Sequence, residues 1–432
     1  MDVILTNKWY THFDAKKHYK KYERLVRDTQ WVTKHGFFPF IHFKMHFVKY
    51  TEDDSGSKSK KSKERDVYYS AHMDRFIYQY YAKYLNKKYN LYAKQHGINR
   101  VSIAYRDIFR GKSNIHFAKD VFEFIVRTQS SYVFVGDLTS FFDKLNHNYL
   151  KDKIKQLLDI DRLDEANYAI FKSVTKFSYV DLNCIKTFLG EKFKESKNLQ
   201  KYFNTAEFHE IKKIYLKKYK SDFGIPQGSS ISAVYSNIYM IDFDEKMNSY
   251  VTGINGMYRR YCDDIVIVIP VQRINDNVVE VIKKRIYNII NSIPNLEIND
   301  SKTSSYYYKD NTVFPIGNSG NRINYLGFSF DGTSVRIREK SVFKYYCRAY
   351  RKIRSINRIS NKKFFIAGKK NIYKLYTHLG ARVNKCNRGN FLTYAYKADN
   401  IFSESEMLNS YIRNQVKKHW SRITHRLRSD DN

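Results

Sequence analysis

Five β-branched residues in a row, Ile265-Val266-Ile267-Val268-Ile269, follow directly on two adjacent aspartates, Asp263 and Asp264. An unbroken apolar run of this length, with no polar alternation, reads as a strand buried on both faces or lying centrally in a sheet. Two carboxylates at its head are electrostatically costly, because they repel and one takes up a proton unless cations neutralise them. The pair therefore asks for metal. A second short run, Val133-Phe134-Val135, ends at Gly136 and Asp137 and puts a third carboxylate at a strand end. Such all-oxygen donors suit Mg²⁺, which keeps waters and coordinates phosphates. Read singly, these acids fit a solvated turn and a helix cap equally well, so the motifs around them have to decide.

Charge narrows the choice of partner. Lys and Arg number 77 against 43 Asp and Glu, a formal net charge of +34 over 432 residues. An excess of that size repels itself unless a polyanion neutralises part of it, and nucleic acid is the first candidate. Hydrophobic residues at 42% are too many for a disordered polycation, and no apolar run is long enough to cross a bilayer. No membrane partner is expected. Asp2 stands directly behind Met1 and no apolar run leads to a cleavage site, unlike a secretory signal, so a cytoplasmic location is expected. Cys184, Cys262, Cys347 and Cys386 are too widely spaced for a zinc site and read as reduced thiols. Aromatics at 16% can serve as stacking platforms for bases, although an AT-rich genome produces the same Tyr-rich composition.

Along the chain, Phe76, Ile77, Tyr80, Tyr81, Tyr84 and Leu85 recur at helical spacing and predict a helix over 74–89 with one buried face. Residues 51–65 contain no apolar side chain and read as a mobile basic loop. Residues 150–219 are largely helical in pattern, and another helix is expected over 231–247 after the turn at Gly224 to Gly228. Residues 333–432 hold 24 Lys or Arg against 6 Asp or Glu, more than half of the excess charge in under a quarter of the chain. A distinct basic, helical domain is expected to begin after Gly332.

Five segments in order resemble the reverse transcriptase family. Asp137-Leu-Thr-Ser-Phe-Phe142-Asp is similar to its first catalytic motif, Gly224-Ile-Pro226-Gln227-Gly228 to its second and Tyr261-Cys-Asp263-Asp264 to its third. Leu296-Glu-Ile-Asn299-Asp-Ser-Lys302-Thr303 resembles the fourth, and Asn324-Tyr325-Leu326-Gly327-Phe328 the fifth, the primer-gripping turn. The resemblance implies an α+β, right-hand polymerase fold, with fingers and palm over residues 1–332 and a basic α-helical thumb over 333–432. It implies RNA-directed DNA synthesis by nucleotidyl transfer with two Mg²⁺ ions, or Mn²⁺ in their place. Asp137 and Asp263 would be the principal ligands, Asp264 would support them, and the main-chain carbonyl of Leu138 would add one more. In this chemistry paired ions activate the attacking hydroxyl and stabilise the leaving pyrophosphate.

Phe142 falls where the family places the residue under the sugar. A ring there excludes a ribose 2′-OH and selects dNTPs, and it can at the same time be core. Gln227 would lie against the incoming nucleotide. Lys302 is either the general acid for pyrophosphate or a phosphate-binding lysine. Tyr105-Arg106 and Arg110-Gly-Lys112-Ser-Asn114 resemble the fingers segment whose cations hold the triphosphate, without fixing which cation does so. Tyr325, Leu326 and Gly327 form the primer grip by resemblance. Arg260 supports the acidic turn or a backbone phosphate, and His147 packs or caps a helix. One departure stands out, Ser232-Ala233 where the family usually has Ser-Pro.

The chain lacks the Asn-Ala-x-x-His element of retron enzymes before its first motif, and its Val251-Thr252-Gly253 precedes the acidic turn instead of lying in the thumb. The run Asn390-Phe-Leu-Thr-Tyr394-Ala-Tyr-Lys-Ala-Asp399, together with Tyr325-Leu326-Gly327 and the Ser-Ala variant, is similar to bacterial defence-associated reverse transcriptases, which include the abortive-infection enzymes. This implies antiphage defence, with a structured noncoding RNA as template and stable partner, dNTPs as substrates and cDNA as product. The basic C-terminal segment could clamp such an RNA through phosphate and 2′-OH contacts. The alternatives are template-independent DNA synthesis of the abortive-infection type, a retron-like enzyme, and an RNA-binding scaffold that synthesises nothing.

Overall fold

Backbone pairing, more than helix content, organises this chain. The computed structural model describes residues 5–52, 58–359, 361–377 and 389–428. The strands of the first half are β1 (Phe40–Glu52), β2 (Lys58–Tyr69), β3 (Ser130–Asp137), β4 (Ser178–Asp181) and β5 (Lys217–Lys218). Next come β6 (Met257–Tyr261), β7 (Asp264–Pro270), β8 (Ser304–Lys309) and β9 (Thr312–Ile316). β10 (Ile323–Tyr325), β11 (Phe328–Phe330), β12 (Ser334–Ile337) and β13 (Asn409–Ser410) complete the set. Helices and strands are mixed throughout, and contacts divide the chain into two units.

The first unit takes Met1–Ile108, Leu138–Lys246 and Tyr287–Glu297. The expected helix is there and runs further at both ends, over His72–Gln95, with Phe76, Ile77, Tyr81, Leu85 and Tyr89 on its buried face. No side chain of the helix caps its start. The carboxylate of Asp14 does so, accepting from the N–H groups of His72 and Met73 at 3.0 Å each, where the helix dipole favours negative charge. The helix Ser230–Tyr239 packs on it. Buried Asn237 ties that helix to the 102–104 segment, donating to the Ala104 carbonyl at 3.0 Å and accepting from the Ser102 hydroxyl at 2.9 Å. Between these elements the chain is helical as expected, over His147–Leu158, Glu165–Thr175, Leu182–Leu189 and Thr205–Tyr215.

The sheet of this unit has the order β2-β1-β4-β5. Here the structure corrects the sequence reading. Residues 51–65 are not a loop, since β1 and β2 pair without a break from Ile41–Tyr69 to Glu52–Lys58, and residues 53–57 lie outside the described part. A ribbon needs only its ladder of N–H to C=O bonds. With no apolar residue from 58 to 66, that part of β2 carries none of the hydrophobic alternation by which a strand is read from sequence.

The second unit takes Phe109–Asp137, Met247–Ile286 and Ile298–Asn432. Its main sheet is antiparallel in the order β6-β7-β3-β8-β9, so the apolar run of β7 lies between two neighbours and β3 is the middle strand. Ile265 to Ile269 are all buried, as are Tyr132, Val133 and Phe134. Val133, Val266, Val268, Tyr306 and Tyr308 form one face and pack with Ile115, Ala118, Val121, Phe122 and Ile125 of the helix Asn114–Arg127. At about 1.5–3 kcal/mol for each large apolar side chain, this layer is the principal anchor of the strand ends that carry the acids.

A second sheet, β10-β11-β12-β13, joins the same core. It also moves the expected domain boundary. β12 pairs antiparallel with β11 and parallel with β13, and the Gln415 side chain donates to the Ile337 carbonyl at 2.9 Å while accepting its N–H at 2.8 Å. A division after Gly332 would cut through this sheet. Charge composition changes at that point, whereas the backbone pairing runs on. Beyond β12 the segment is helical as expected. Helices Glu339–Asn357, Lys362–Tyr376 and His419–Arg428 share a small core of Ala349, Ile353, Ile356, Ile372, Ile423 and Leu427. Among the described residues no helix is long and apolar enough to cross a membrane.

Replacing Asp14 with Ala leaves two buried helix N–H groups without their acceptor. We expect the urea midpoint of Asp14→Ala to fall by the equivalent of about 1–2 kcal/mol. An unchanged midpoint would show that the helix start finds another acceptor.

Candidate active site

Register decides the position of the acids. β3 and β7 pair from Ser131–Pro270 to Asp137–Asp264, so two carboxylate-bearing residues face each other at the ends of adjacent strands. β6 and β7 pair up to Tyr261–Asp264, which leaves Cys262 and Asp263 as a two-residue hairpin turn. Such turns need positive φ at their first central residue, usually supplied by glycine. Cys262 adopts φ 61°, a left-handed conformation costing about 1–2 kcal/mol. Fully buried Arg260 holds it there, donating from Nη1 to the Cys262 carbonyl at 3.0 Å. Of the two roles open to Arg260, the structure thus shows support of the turn.

The fourth motif docks on the same strand end. Asn299 donates its N–H to the Asp137 carbonyl at 2.8 Å, and the Lys302 ammonium forms an ion pair with the Asp137 carboxylate. Asp264 is pushed from its ordinary 3.8 up to about 6, first by burial and then by the charges of Asp263 and Asp137, while Lys302 and Arg338 pull the other way. The cluster therefore has an excess of negative charge that two cations do not cancel. Among the described residues no three acidic, histidine or cysteine side chains stand close enough to make a ready cage for a metal. The donor set nevertheless fits Mg²⁺: carboxylate oxygens on rigid strand ends, with an ammonium already drawn to one of them. Asp137, Asp263 and Asp264 would hold the ion, with the carbonyl of Leu138, the next residue along the chain, as a further donor.

The fifth motif is a second tight hairpin. Tyr325 pairs with Phe328 across β10 and β11, leaving Leu326 (φ 45°) and Gly327 (φ 92°) as the turn. Both central residues have positive φ, the requirement of a type I′ turn, in which a leucine is unusual. Arg338 donates its N–H to the Gly327 carbonyl at 3.0 Å. Tyr325 is buried, and burial together with the Asp264 charge raises the pKa of its hydroxyl.

Phe142 and Gln227 belong to the first unit, where the structure brings their motifs together. Ile225 donates its N–H to the Phe142 carbonyl at 2.9 Å, and Gly224 to that of Leu145 at 2.8 Å. Tyr68 donates its N–H to the Gln227 carbonyl at 2.9 Å. Gly228 adopts φ 123°, and a Cβ there would stand 2.5 Å from the Tyr68 carbonyl oxygen, so the second motif needs this glycine. His147 is buried and its Nε2 donates to the Gly224 carbonyl at 2.6 Å, while Asn146 caps the following helix. The histidine is thus a support for the turn and not a cap.

Among the triphosphate-binding candidates, Arg106 is corrected. It is buried, and its guanidinium donates to Asn90 Oδ1 at 2.7 Å, to Asn99 Oδ1 at 2.7 Å, and to the carbonyls of Asn99 and Ser102 at 2.5 and 3.1 Å. A fork of donors taken up inside the 90–106 segment folds that segment and does not reach a nucleotide. Arg110 and Lys112, in the second unit, are exposed. Of the cysteines, Cys184, Cys262 and Cys347 are free thiols, and Cys386 lies outside the described residues.

With this geometry in view, the comparisons with known proteins can be weighed. The family described as "Reverse transcriptase (RNA-dependent DNA polymerase)" matches residues 75–330, more than half of the chain. The chain belongs to the reverse transcriptase family. Members of this family are RNA-directed DNA polymerases, which are nucleotidyltransferases and generally use divalent metal ions such as Mg²⁺. No curated protein sequence matches this reverse transcriptase.

Solved structures similar to it include telomerase from Candida albicans in complex with a TWJ fragment of telomeric RNA, at 13% identity and TM-score 0.45, covering 94% of this chain and 63% of that one. Apo telomerase from Candida tropicalis is similar at 14% identity and TM-score 0.42, covering 97% and 66%. Its form truncated from the C-terminal domain gives 14% and 0.42, covering 72% and 58%. This reverse transcriptase thus spans between 58% and 66% of the length of these telomerase chains.

Two groups that support the motifs escaped the sequence reading. Arg338 acts on Asp264 from the junction of β12 and the helix Glu339–Asn357, inside a stretch where basic residues are common and nothing singles one out. Asn114 was read only as the end of a basic segment. In metal-free protein the raised pKa of Asp264 has a definite sign: the folded state binds a proton more tightly than the unfolded state. Stability should therefore fall as pH rises from about 4 to 6, with Asp264→Asn flattening the change and Mg²⁺ opposing it. Thermal melts in EDTA across that range would measure it, and a slope identical in wild type and variant would contradict the assignment.

Proposed function

We propose that this reverse transcriptase is an RNA-directed DNA polymerase of right-hand layout, copying an associated structured noncoding RNA into cDNA in the bacterial cytoplasm as part of antiphage defence. The observation that carries the polymerase reading is the facing of Asp137 and Asp264 at the ends of β3 and β7, with Asp263 in the adjoining turn. The defence reading is supported by the run Asn390 to Asp399 and by the Ser232-Ala233 variant, and an RNA partner by the +34 charge.

In this reading each residue has a defined task. Asp137, Asp263 and Asp264 offer oxygens to two Mg²⁺ ions, which when bound lower the pKa of the attacking 3′-hydroxyl and neutralise the departing pyrophosphate. Lys302 carries a proton on Nζ and can deliver it as negative charge develops on the leaving group. Arg110 and Lys112 hold the triphosphate through charge-assisted hydrogen bonds. Gln227 lies against the base pair being formed. The Phe142 ring excludes a ribose 2′-OH, and Tyr325, Leu326 and Gly327 seat the primer end.

The test is purified protein with its copurifying RNA, Mg²⁺ and labelled dNTPs, the product being sequenced. Products complementary to the RNA support the reading. Products unrelated to it would favour template-independent synthesis, and no incorporation under any primer condition would favour a scaffold. Product joined covalently to its template RNA would point to a retron-like enzyme. Asp263→Asn and Asp264→Asn should each lower synthesis by at least about a hundredfold while RNA affinity stays within about twofold. Phe142→Ala should admit rNTPs, seen as a fall of about tenfold or more in the dNTP:rNTP ratio of kcat/KM. Unchanged discrimination would place the sugar filter elsewhere.

A further inference from the structure

The turn Leu326-Gly327 is held from two sides, and one of its holders has no role so far. Asn114 is the first residue of the helix Asn114–Arg127, whose start is already capped by the reciprocal pair Ser113 and His116, with Ser113 donating its N–H to His116 Nδ1 at 3.0 Å. The Asn114 amide is therefore not needed as a cap. Its Nδ2 instead donates to the Leu326 carbonyl at 2.9 Å and to the Tyr394 hydroxyl at 2.9 Å. An amide nitrogen has two hydrogens to give, so these two bonds use its donor capacity in full.

Tyr394 reaches the turn a second way. Its ring stacks on that of Phe328, the residue that closes the hairpin, at 6.2 Å between centroids. The helix that carries it, Phe391–Ser403, starts from Asn390, whose Oδ1 accepts from the N–H groups of Leu392 and Thr393 at 3.0 and 3.1 Å. On the other side Arg338 holds the Gly327 carbonyl, and Tyr325 is buried. Every residue of the hairpin tip is thus fixed, including Leu326 in a left-handed conformation that an unsupported leucine would leave.

We infer that Asn114 and Tyr394 are positioning residues that set the seat of the primer's 3′ end by pinning the Leu326 carbonyl. This rests on the proposed reading of residues 325–327 as the primer-gripping turn. Asn114 stands two residues after Lys112, so the same side chain ties the exposed basic segment to the turn. Placement of the triphosphate cations and height of the primer seat are then set by one amide. The pin also gives the run Asn390 to Asp399 a physical task, since Asn390 starts the helix and Tyr394 receives the bond.

The test compares wild type, Asn114→Ala and Tyr394→Phe in binding a fluorescein-labelled RNA–DNA hybrid with a recessed DNA 3′ end, and single-stranded RNA of the same sequence, without dNTPs. Tyr394→Phe keeps the stacked ring and removes only the hydroxyl, so it tests the pin even if Asn114→Ala folds poorly. We expect the Kd for the hybrid to rise about tenfold in Asn114→Ala and about threefold in Tyr394→Phe, with single-stranded RNA affinity unchanged within about twofold. In extension assays KM for the hybrid should rise by the same factor while kcat stays within about twofold. Unchanged hybrid affinity in both variants, or an equal loss for single-stranded RNA, would overturn the inference. A wild-type chain that binds the hybrid and shows the expected variant losses, yet never extends it, would overturn the polymerase reading and leave the pin standing. Failure of the wild type to bind the hybrid at all would overturn both.

Discussion

The pairing of β3 with β7 is the constraint on which the acidic cluster depends. Side chains alternate across a sheet with a period of two, so a slip of one residue would carry Asp137 to the opposite face from Asp264 and send each apolar side chain of the slipped strand into the packing of the wrong face. Val133 and Val268 share the face covered by the helix Asn114–Arg127, while Phe134 and Ile267 fill the other. The register is therefore held by burial on both faces. The strands are apolar enough to make any other pairing expensive, and that expense keeps mutually repelling carboxylates together.

The groups that support the motifs' turns share one principle, that polar donors hold main-chain carbonyls. Arg260 holds the carbonyl of Cys262, His147 that of Gly224, Asn114 that of Leu326 and the Arg338 N–H that of Gly327. These four carbonyls belong to three turns in the family's motifs, and each of the four residues that carry them has a positive φ. Tight turns that deviate from ordinary backbone geometry persist only where the surroundings over-determine them. The chain does so with buried side chains and helix starts, so the acids and the Leu326-Gly327 turn stand on rigid elements.

Much of the site was legible before the structure. The apolar run after Asp263-Asp264 announces its strand through composition alone, and the five motifs in order give the family. What misled was the use of charge as a guide to structure. Lysines and serines in β2 looked like a loop because residues 58–66 hold no apolar side chain and so show no hydrophobic period. Arg106 looked like a phosphate ligand because it is basic and lies beside a motif, yet its donors close a buried network. The shift in charge after Gly332 looked like a domain boundary, although β12 continues a sheet begun at Ile323.

Local chemistry thus determined which residue types stand at which strand ends, which segments are apolar enough to be central, and which turns need glycine. These are properties of neighbours along the chain, where alternation, branching and φ preference act over a few residues. Only the tertiary structure decided that Asp137 meets Asp264, that Lys302 is drawn to the first of them, and that an asparagine 212 positions before Leu326 holds its carbonyl. Such pairings are set by how two sheets and the helices over them bury their apolar faces together, and no window of sequence contains both partners.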